Sequence, residues 1–465
     1  MRIRISAKKR YGLLVCLFPI TSLFAQTTAD SLSLREAITL TLARYPAVKA
    51  KQQLVKAGEA NLTDVRHNWY PVLKLHDQVD VGTDNSIYGS YFTMGLIPST
   101  SGGIRNENVS SLMSGNIAMA NVQWEIYNFG AYGSQREDAR RALEVNHADL
   151  GNTANQLTVN VIETYLQLLR LHELINIQAD NVKRNAEIVH AVTTVVLHGL
   201  KPGVDSTIAV AELSKARLNL LDVSNHYNQA RIQLATLTGL DTSQVTPEWN
   251  TGGRLMAMLN SDSSSTVADN THPLLQYYDA LFRRQQVQEL IVRKQSLPKL
   301  SLMAAGWMRG SSGSFNDYYD KNLFSGLGYN RYNYLLGLGV TWNITDQRRR
   351  HERLAVQQYR SAAASQELET LRVVLHNMYE QAQNDILTSK AKLNELPLQL
   401  QAARAAARQK TSLYKGGLAN IIDVTNALFV LNRAETDLVE ARTAAWVALF
   451  RAAYASNNIA AFSLQ

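Results

Sequence analysis

The sequence predicts a mainly α-helical chain with a membrane β-barrel portion, built as a duplicated unit of two strands plus long antiparallel coiled-coil helices. Three observations carry this reading. A set of residue spacings recurs between the two halves, the hydrophobic period shifts from helical to alternating after a proline in each half, and some helical runs are far longer than a compact domain holds.

Tyr45-Pro46 precedes Pro71 by 25 residues, and His272-Pro273 precedes Pro298 by the same 25. Trp124 precedes Gly199-Leu200 by 75 residues, as Trp342 precedes Gly417-Leu418. Six residues beyond each glycine stands an aspartate, Asp205 in one half and Asp423 in the other. These spacings mark an internal duplication, with repeats at about 26–240 and 272–465 joined by a polar, turn-rich connector at 241–271 that holds Thr251-Gly252-Gly253. From second proline to tryptophan the halves differ, 53 residues against 44, which puts the length difference in one loop.

Residues 1–25 read as a cleaved export signal. Arg2, Arg4, Lys8, Lys9 and Arg10 precede an apolar run from about Gly12 to Phe24, with Ala25 at the cut, and the run is too short to span a bilayer. Leu13-Leu14-Val15-Cys16 loosely resembles a lipid-attachment box, but bulky Val15 stands where a small residue is wanted. The formal charge of +8 comes largely from this segment, because the rest of the chain holds 42 basic against 39 acidic residues. The balance therefore does not indicate a nucleic-acid partner. A single cysteine excludes a disulfide framework, and 46% hydrophobic with 18% charged residues excludes disorder.

Each repeat opens with a helical stretch, Leu34 to about Trp69 and Leu274 to about Ser296, that stops at a proline. Strands are expected at about 72–83 and 116–127 in the first half and at about 299–308 and 333–344 in the second. In the last of these, Tyr334, Leu336, Leu338, Val340, Trp342 and Ile344 share one face, against Leu335, Gly337, Gly339, Thr341 and Asn343 on the other. Ala118, Ala120, Val122, Trp124 and Ile126 alternate likewise, whereas Asp77 falls on what should be an apolar side. Strands of this length with one oily face suit a membrane barrel, and Trp69, Trp124, Trp307 and Trp342 fall where an interfacial aromatic girdle would stand. Loops at about 84–112 and 310–332, rich in Gly, Ser, Asn and Tyr, suit the exterior.

Long helices are expected at about 132–198 and 348–415, roughly 100 Å each at 1.5 Å per residue, returning through helices at about 205–238 and 421–455. Leu157, Val161, Thr164, Leu168, Leu171 and Ile175, continued by Val182 and Val189, form a heptad seam. Leu213, Leu220, Tyr227 and Leu234 supply the returning seam of the first half, and Leu431, Leu438, Ala445 and Ala452 that of the second. Pro397 is expected to kink or split the second long helix.

With its export signal, duplicated halves, two strands per half and a Gly-Leu turn six residues before an Asp, the chain resembles the TolC family of outer-membrane efflux proteins. Leu34-Arg35-Glu36-Ala37-Ile38 with Ala43-Arg44-Tyr45-Pro46 is similar to that family's opening helix, with Tyr45 in place of the usual Asn. The resemblance implies an exit duct in the outer membrane with a periplasmic extension, serving a tripartite efflux pump or type I secretion system. It implies a homotrimer, a periplasmic adaptor (membrane fusion) protein, an inner-membrane pump of RND or ABC type, and outer-membrane lipid as partners. A trimer also follows from physics, because four strands cannot close a ring and open edges are not tolerated in lipid. Gly199, Leu200, Asp205, Gly417 and Leu418 would form adaptor-docking tips, although glycine turn chemistry with an Asp capping the next helix accounts for the same residues. The resemblance places Asp423 in an acidic ring at the pore constriction, with Asn426 where a second acid is usual, and Tyr414 in a latch. The latch's arginine is Ala419 here, leaving Lys415 or Lys201 as substitutes.

No enzyme motif is present. There is no phosphate loop and no nucleophile elbow, His351-Glu352 lacks the second His of a zinc site, and the paired glycines at 326/328 and 337/339 lack dinucleotide context. No cofactor or metal is expected. The alternative to a channel is a periplasmic coiled-coil scaffold whose strands cap a soluble bundle.

Overall fold

The computed structural model describes residues 31–86, 104, 106–199, 201–259, 271–313 and 318–459. The expected export segment with Cys16 and Ala25, Leu200 of the expected docking tip, and much of the expected first loop lie outside the described residues.

The first half runs α1 (Leu34–Arg44), α2 (Pro46–His67), β1 (Val72–Gly82), β2 (Met113–Tyr127), α3 (Ala131–Leu197) and α4 (Gly203–Thr238). After α5 (Thr251–Leu259) the second half runs α6 (Pro273–Gln295), β3 (Lys299–Ser311), β4 (Arg331–Thr341), α7 (Asp346–Lys415) and α8 (Ile421–Ala455). The opening helix is two helices rather than one. Tyr45 is extended because Pro46 follows it, and the proline then starts α2 at a position where its missing N–H costs nothing. The connector also holds more order than its turn-rich composition suggested. Thr251-Gly252-Gly253 begins α5, whose Leu255 and Leu259 are buried, and a Cβ at Gly252 would stand 2.9 Å from the Trp446 ring. There glycine permits close packing and makes no turn.

Pro397 does not split α7, which is continuous over 70 residues. Leu400, Ala403 and Ala407 beyond the proline pack with Leu428, Leu431 and Ala434 of α8, and this burial holds the helix together across the missing hydrogen bond. The seam of α3 follows the expected positions through Leu171 and then rotates by one residue. Leu174, Gln178, Asn181, Asn185 and Ile188 are buried, while Ile175, Val182 and Val189 are half-buried. Asn185 meets its polar needs locally by donating through Nδ2 to Asn181 O and Oδ1.

The main core lies where the ends of α1, α4 and α5 meet the middle of α3 and the end of α8, around Tyr165, Leu168, Leu234, Leu255, Trp446 and Phe450. Fully buried Tyr165 donates from Oη to Leu32 O at 2.9 Å and accepts from Glu248 N at 2.9 Å, pinning the N-terminal segment and the connector together.

All four strands form one antiparallel sheet in the order β1-β2-β3-β4, so the joint between the two halves is the β2–β3 pair. Register sets Leu73, Val122, Ala304 and Leu336 on one face, with Lys74, Asn121, Ala305 and Leu335 on the other. On the apolar face Leu75, Tyr334, Leu336, Leu338 and Val340 are each at least 67% exposed, so these side chains are left uncovered among the described residues. The outer edges of β1 and β4 have no strand partner among the described residues.

Candidate functional site

The helical hairpins end in matched turns. Gly199 and Gly417 take left-handed φ values of +74° and +79° with open space around them, which is the conformation glycine alone adopts cheaply. After α7, Leu418 N donates to Leu413 O and Gly417 N to Tyr414 O, the paired bonds of a Schellman end. Gly199 N likewise donates to Val196 O. The aspartates are not the helix caps. Pro202 precedes α4 with no side-chain cap, and Asn420 caps α8 through Oδ1 to Ile422 N, so Asp205 and Asp423 sit inside the first turns. There their charge faces the positive end of the helix dipole.

Asp205 is buried and accepts a hydrogen bond from Tyr414 Oη at 3.2 Å, tying the tip of α7 to the start of α4. Burial first, and then the Asp205 charge and hydrogen bond, push the Tyr414 phenol up to about 12. The phenol therefore remains a donor at physiological pH. Lys201 Nζ stands 5.6 Å from the Tyr414 ring centre, within cation–π reach. Ile421, Val424 and Leu428 pack the inner face of α8 here, while Asp423 and Asn426 lie on its exposed face. Lys410 Nζ approaches Asp423 Oδ2 at 3.2 Å. Both aspartates are the third residue of their helix, and what separates them is their surroundings: Tyr414 covers Asp205, whereas Asp423 faces outward beside Lys410.

Above the tips, charge pairs join the halves. Arg170 contacts Glu440 through Nε and Nη2, Arg442 contacts Glu173, and Arg184 Nη2 meets Glu435 at 2.8 Å, with Arg404 on the other Glu435 oxygen at 3.6 Å. Sequence reading did not find this ladder, since the pairs that cross between the halves lie some 250 positions or more apart.

At the opposite end, Trp69, Trp124 and Trp342 gather where the sheet meets the helices. Trp124 packs edge-on against Trp69 with ring centres 6.0 Å apart, and Trp69 packs edge-on against Tyr132. Trp342 lies just past β4 and donates from Nε1 to Ser296 O. Trp307 does not share their face. It pairs with Met119 and Asn333 on the polar face, one residue out of phase with Gly306 and Met308 on the apolar face. Closeness in sequence to a girdle position does not override strand parity. Asp77 does lie on the apolar face, where its Oδ1 accepts from Tyr329 Oη at 3.1 Å.

The family described as outer membrane efflux protein matches residues 37–240 and 268–453. No curated protein shows significant sequence similarity to the chain. Among solved structures, the outer-membrane channel OprN is 16% identical at a TM-score of 0.70, covering 92% of this chain and 91% of its own. The outer membrane protein VceC of Vibrio cholerae is 15% identical at 0.69, covering 91% and 95%. The Campylobacter jejuni CmeC outer membrane channel is 14% identical at 0.70, covering 94% and 90%. At such identities these likenesses speak to the fold, a duplicated unit of two strands and long hairpin helices. The matched segments take in both hairpins, both strand pairs and nearly all of each half, so the chain belongs to the outer membrane efflux protein family, channel proteins of the outer membrane through which efflux pumps discharge.

Proposed function

We propose that three copies of this chain close a twelve-stranded barrel, each β4 edge pairing with the β1 edge of the next copy, and that the hairpin helices continue the barrel as a tunnel across the periplasm. The observation that carries the proposal is the sheet itself: four strands with one open edge on each side and an oily face left in solvent. Lipid can cover that face, but no strand among the described residues pairs those edges, and cyclic symmetry supplies the partner.

In this arrangement the turns at Gly199 and Gly417 point away from the membrane and receive a periplasmic adaptor, which couples the duct to an inner-membrane pump of RND or ABC type. The Tyr414–Asp205 bond holds the tips of one protomer together, favouring a closed resting state. Asp423 from each copy contributes to a weakly cation-selective ring at the constriction, with Asn426 adding no charge beside it. No bond chemistry is assigned to any of these residues.

Extraction tests the assembly. The protein should leave the membrane only with detergent and run as a trimer that collapses to monomer on heating, and planar bilayers carrying it should show small, steady conductance. A soluble monomer in the periplasmic fraction overturns the proposal.

A further inference from the structure

The duplication relates strand pairs as well as turns. A shift of 227 positions carries Pro71 to Pro298, and a shift of 218 carries Trp124 to Trp342. Applied to the β1–β2 ladder, these shifts turn Val72↔Gln123 into Lys299↔Thr341 and Leu75↔Ala120 into Leu302↔Leu338, and both are pairs that β3 and β4 form. The correspondence holds pair for pair along the two ladders, so the halves share one strand register although their loops differ in length.

Within the chain, the sheet and its flanking helices join the halves along one seam. The outgoing elements of the first half, β2 and α3, meet the incoming elements of the second, β3 and α6, and Arg284 Nε lies 3.3 Å from Asp138 Oδ1 between the helices. The equivalent positions on the other two faces are bare among the described residues. On α6, Leu274, Tyr277, Leu281 and Arg284 are half-buried, whereas their equivalents Ala47, Ala50, Leu54 and Ala57 on α2 are exposed. On α3, Ser134, Asp138, Arg141 and Val145 are buried or half-buried, whereas Glu352, Val356, Tyr359 and Ala363 on α7 are exposed, Tyr359 at 77%. Each bare set steps by three and four positions, the spacing of one helix face, and is mostly apolar.

We propose that this inner seam sets the seam between copies: β4 of one copy pairs with β1 of the next in the register of the β2–β3 pair, and α7 packs on the next copy's α2. Carried through both shifts, Trp124↔Leu302 becomes Trp342 opposite Leu75 of the next copy, and Ala120↔Gly306 becomes Leu338 opposite Val79. Ala118↔Met308 likewise becomes Leu336 opposite Val81. These pairs keep the apolar face of β1 level with that of β4, as an unbroken oily surface around a closed ring requires. On the helices, Arg284 and Asp138 become Ala57 of the next copy and Val356, so an ion pair within the chain is answered by an apolar contact between chains. The occupant is a second copy because the bare faces are the outgoing face of one half and the incoming face of the other, the two that the inner seam joins. The inference rests on the three-copy reading and adds a register to it.

Cysteine pairs in the full-length protein in its membrane test it, with each single variant as a control. After copper–phenanthroline oxidation, Val79→Cys with Leu338→Cys should give dimers and trimers that survive heating and fall to monomer with reductant, because directly opposed residues lie within disulfide reach. Val79→Cys with Leu336→Cys or Val340→Cys, a slip of two residues either way, should give about tenfold less, since diagonal neighbours stand beyond that reach. A slipped pair that links while 79 with 338 does not overturns the register and leaves the three-copy reading intact. A trimer in which none of the three pairs links overturns the seam, and an unsubstituted protein that is monomeric in detergent overturns the three-copy reading itself. Should the cysteine variants fail to assemble, the helices decide. Val356→Asp should lower the temperature at which the trimer dissociates, and adding Ala57→Arg should restore it by recreating between copies the pair that Arg284 makes with Asp138. Absence of that rescue overturns the proposal.

Discussion

The indole Nε1 of Trp124 donates to the carbonyl oxygen of Trp69 at 2.8 Å, and its counterpart in the second half, Trp342, donates to Ser296 O at 3.3 Å. Both acceptors lie two residues before the proline that ends the preceding helix, Pro71 or Pro298. The duplication thus preserves a hydrogen bond: a tryptophan at the base of one strand ties down the helix end that leads into its neighbour. Trp124→Phe keeps a ring but removes the donor, and should cost about 1 kcal/mol. It should lower the temperature at which the assembled protein dissociates, measured by heat modifiability on gels. Trp342→Phe should cost less, in line with its longer bond. Equal or absent effects would show that these indoles merely fill space.

The bond from Tyr414 to Asp205 is the best candidate for holding the tip shut. Tyr414→Phe removes the donor and leaves a buried carboxylate short of a partner, a loss of roughly 1.5–3 kcal/mol for a bond to a charged group. Single-channel conductance of the variant should rise above that of the parent. Asp205→Asn can still accept from the phenol and should open the tip less. Since burial and Asp205 hold the phenol at about 12, the parent's conductance should show no alkaline step between pH 7 and 10.

Helix and strand identity was legible in this sequence because period and proline positions act locally, and the long hairpins and the face of β4 follow from them. Trp307 shows where that legibility ends. Its neighbours alternate weakly, since Ala304, Ala305 and Gly306 carry little hydrophobic contrast, and only the hydrogen-bonded register with Met119 and Asn333 fixes its side. The same limit hid Tyr329 behind Asp77, because a tyrosine 252 positions away leaves no periodic trace. Pro397 was misleading for a different reason: packing between α7 and α8 outweighs a local breaker. At the tip, the roles of Asp205 and Asp423 diverge through their surroundings, which the repeated spacing does not encode.

His272 caps α6 by accepting from Leu274 N through Nδ1, and it is fully buried edge-on against Tyr454. Burial lowers its pKa from 6.5 to about 4. The unfolded chain therefore takes up a proton before the folded one does, so the stability this neutral cap supports is fully present above pH 6.5 and is lost as pH falls toward 4. His272→Asn supplies a cap that does not titrate. Thermal unfolding should show the parent losing stability relative to His272→Asn between pH 6.5 and 4, with a constant gap above 6.5. A gap that stays constant down to pH 4 would mean that His272 titrates normally.

The pair Lys410–Asp423 bears on selectivity. Both side chains are nearly half exposed, so the contact adds little stability, but an ammonium 3.2 Å from the Asp423 carboxylate offsets the charge that the proposed ring would present to a cation. With Asn426 neutral as well, the ring should attract multivalent cations only weakly. Lys410→Gln removes the offset and should lower the concentration of a trivalent cation needed to block the channel, with little change in assembly. Asp423→Asn should abolish block altogether, and the double variant should match Asp423→Asn, because the lysine acts only through the carboxylate. Block that persists in Asp423→Asn would place the constriction elsewhere along the exposed face of α8, and block unchanged in Lys410→Gln would show that solvent already screens the pair.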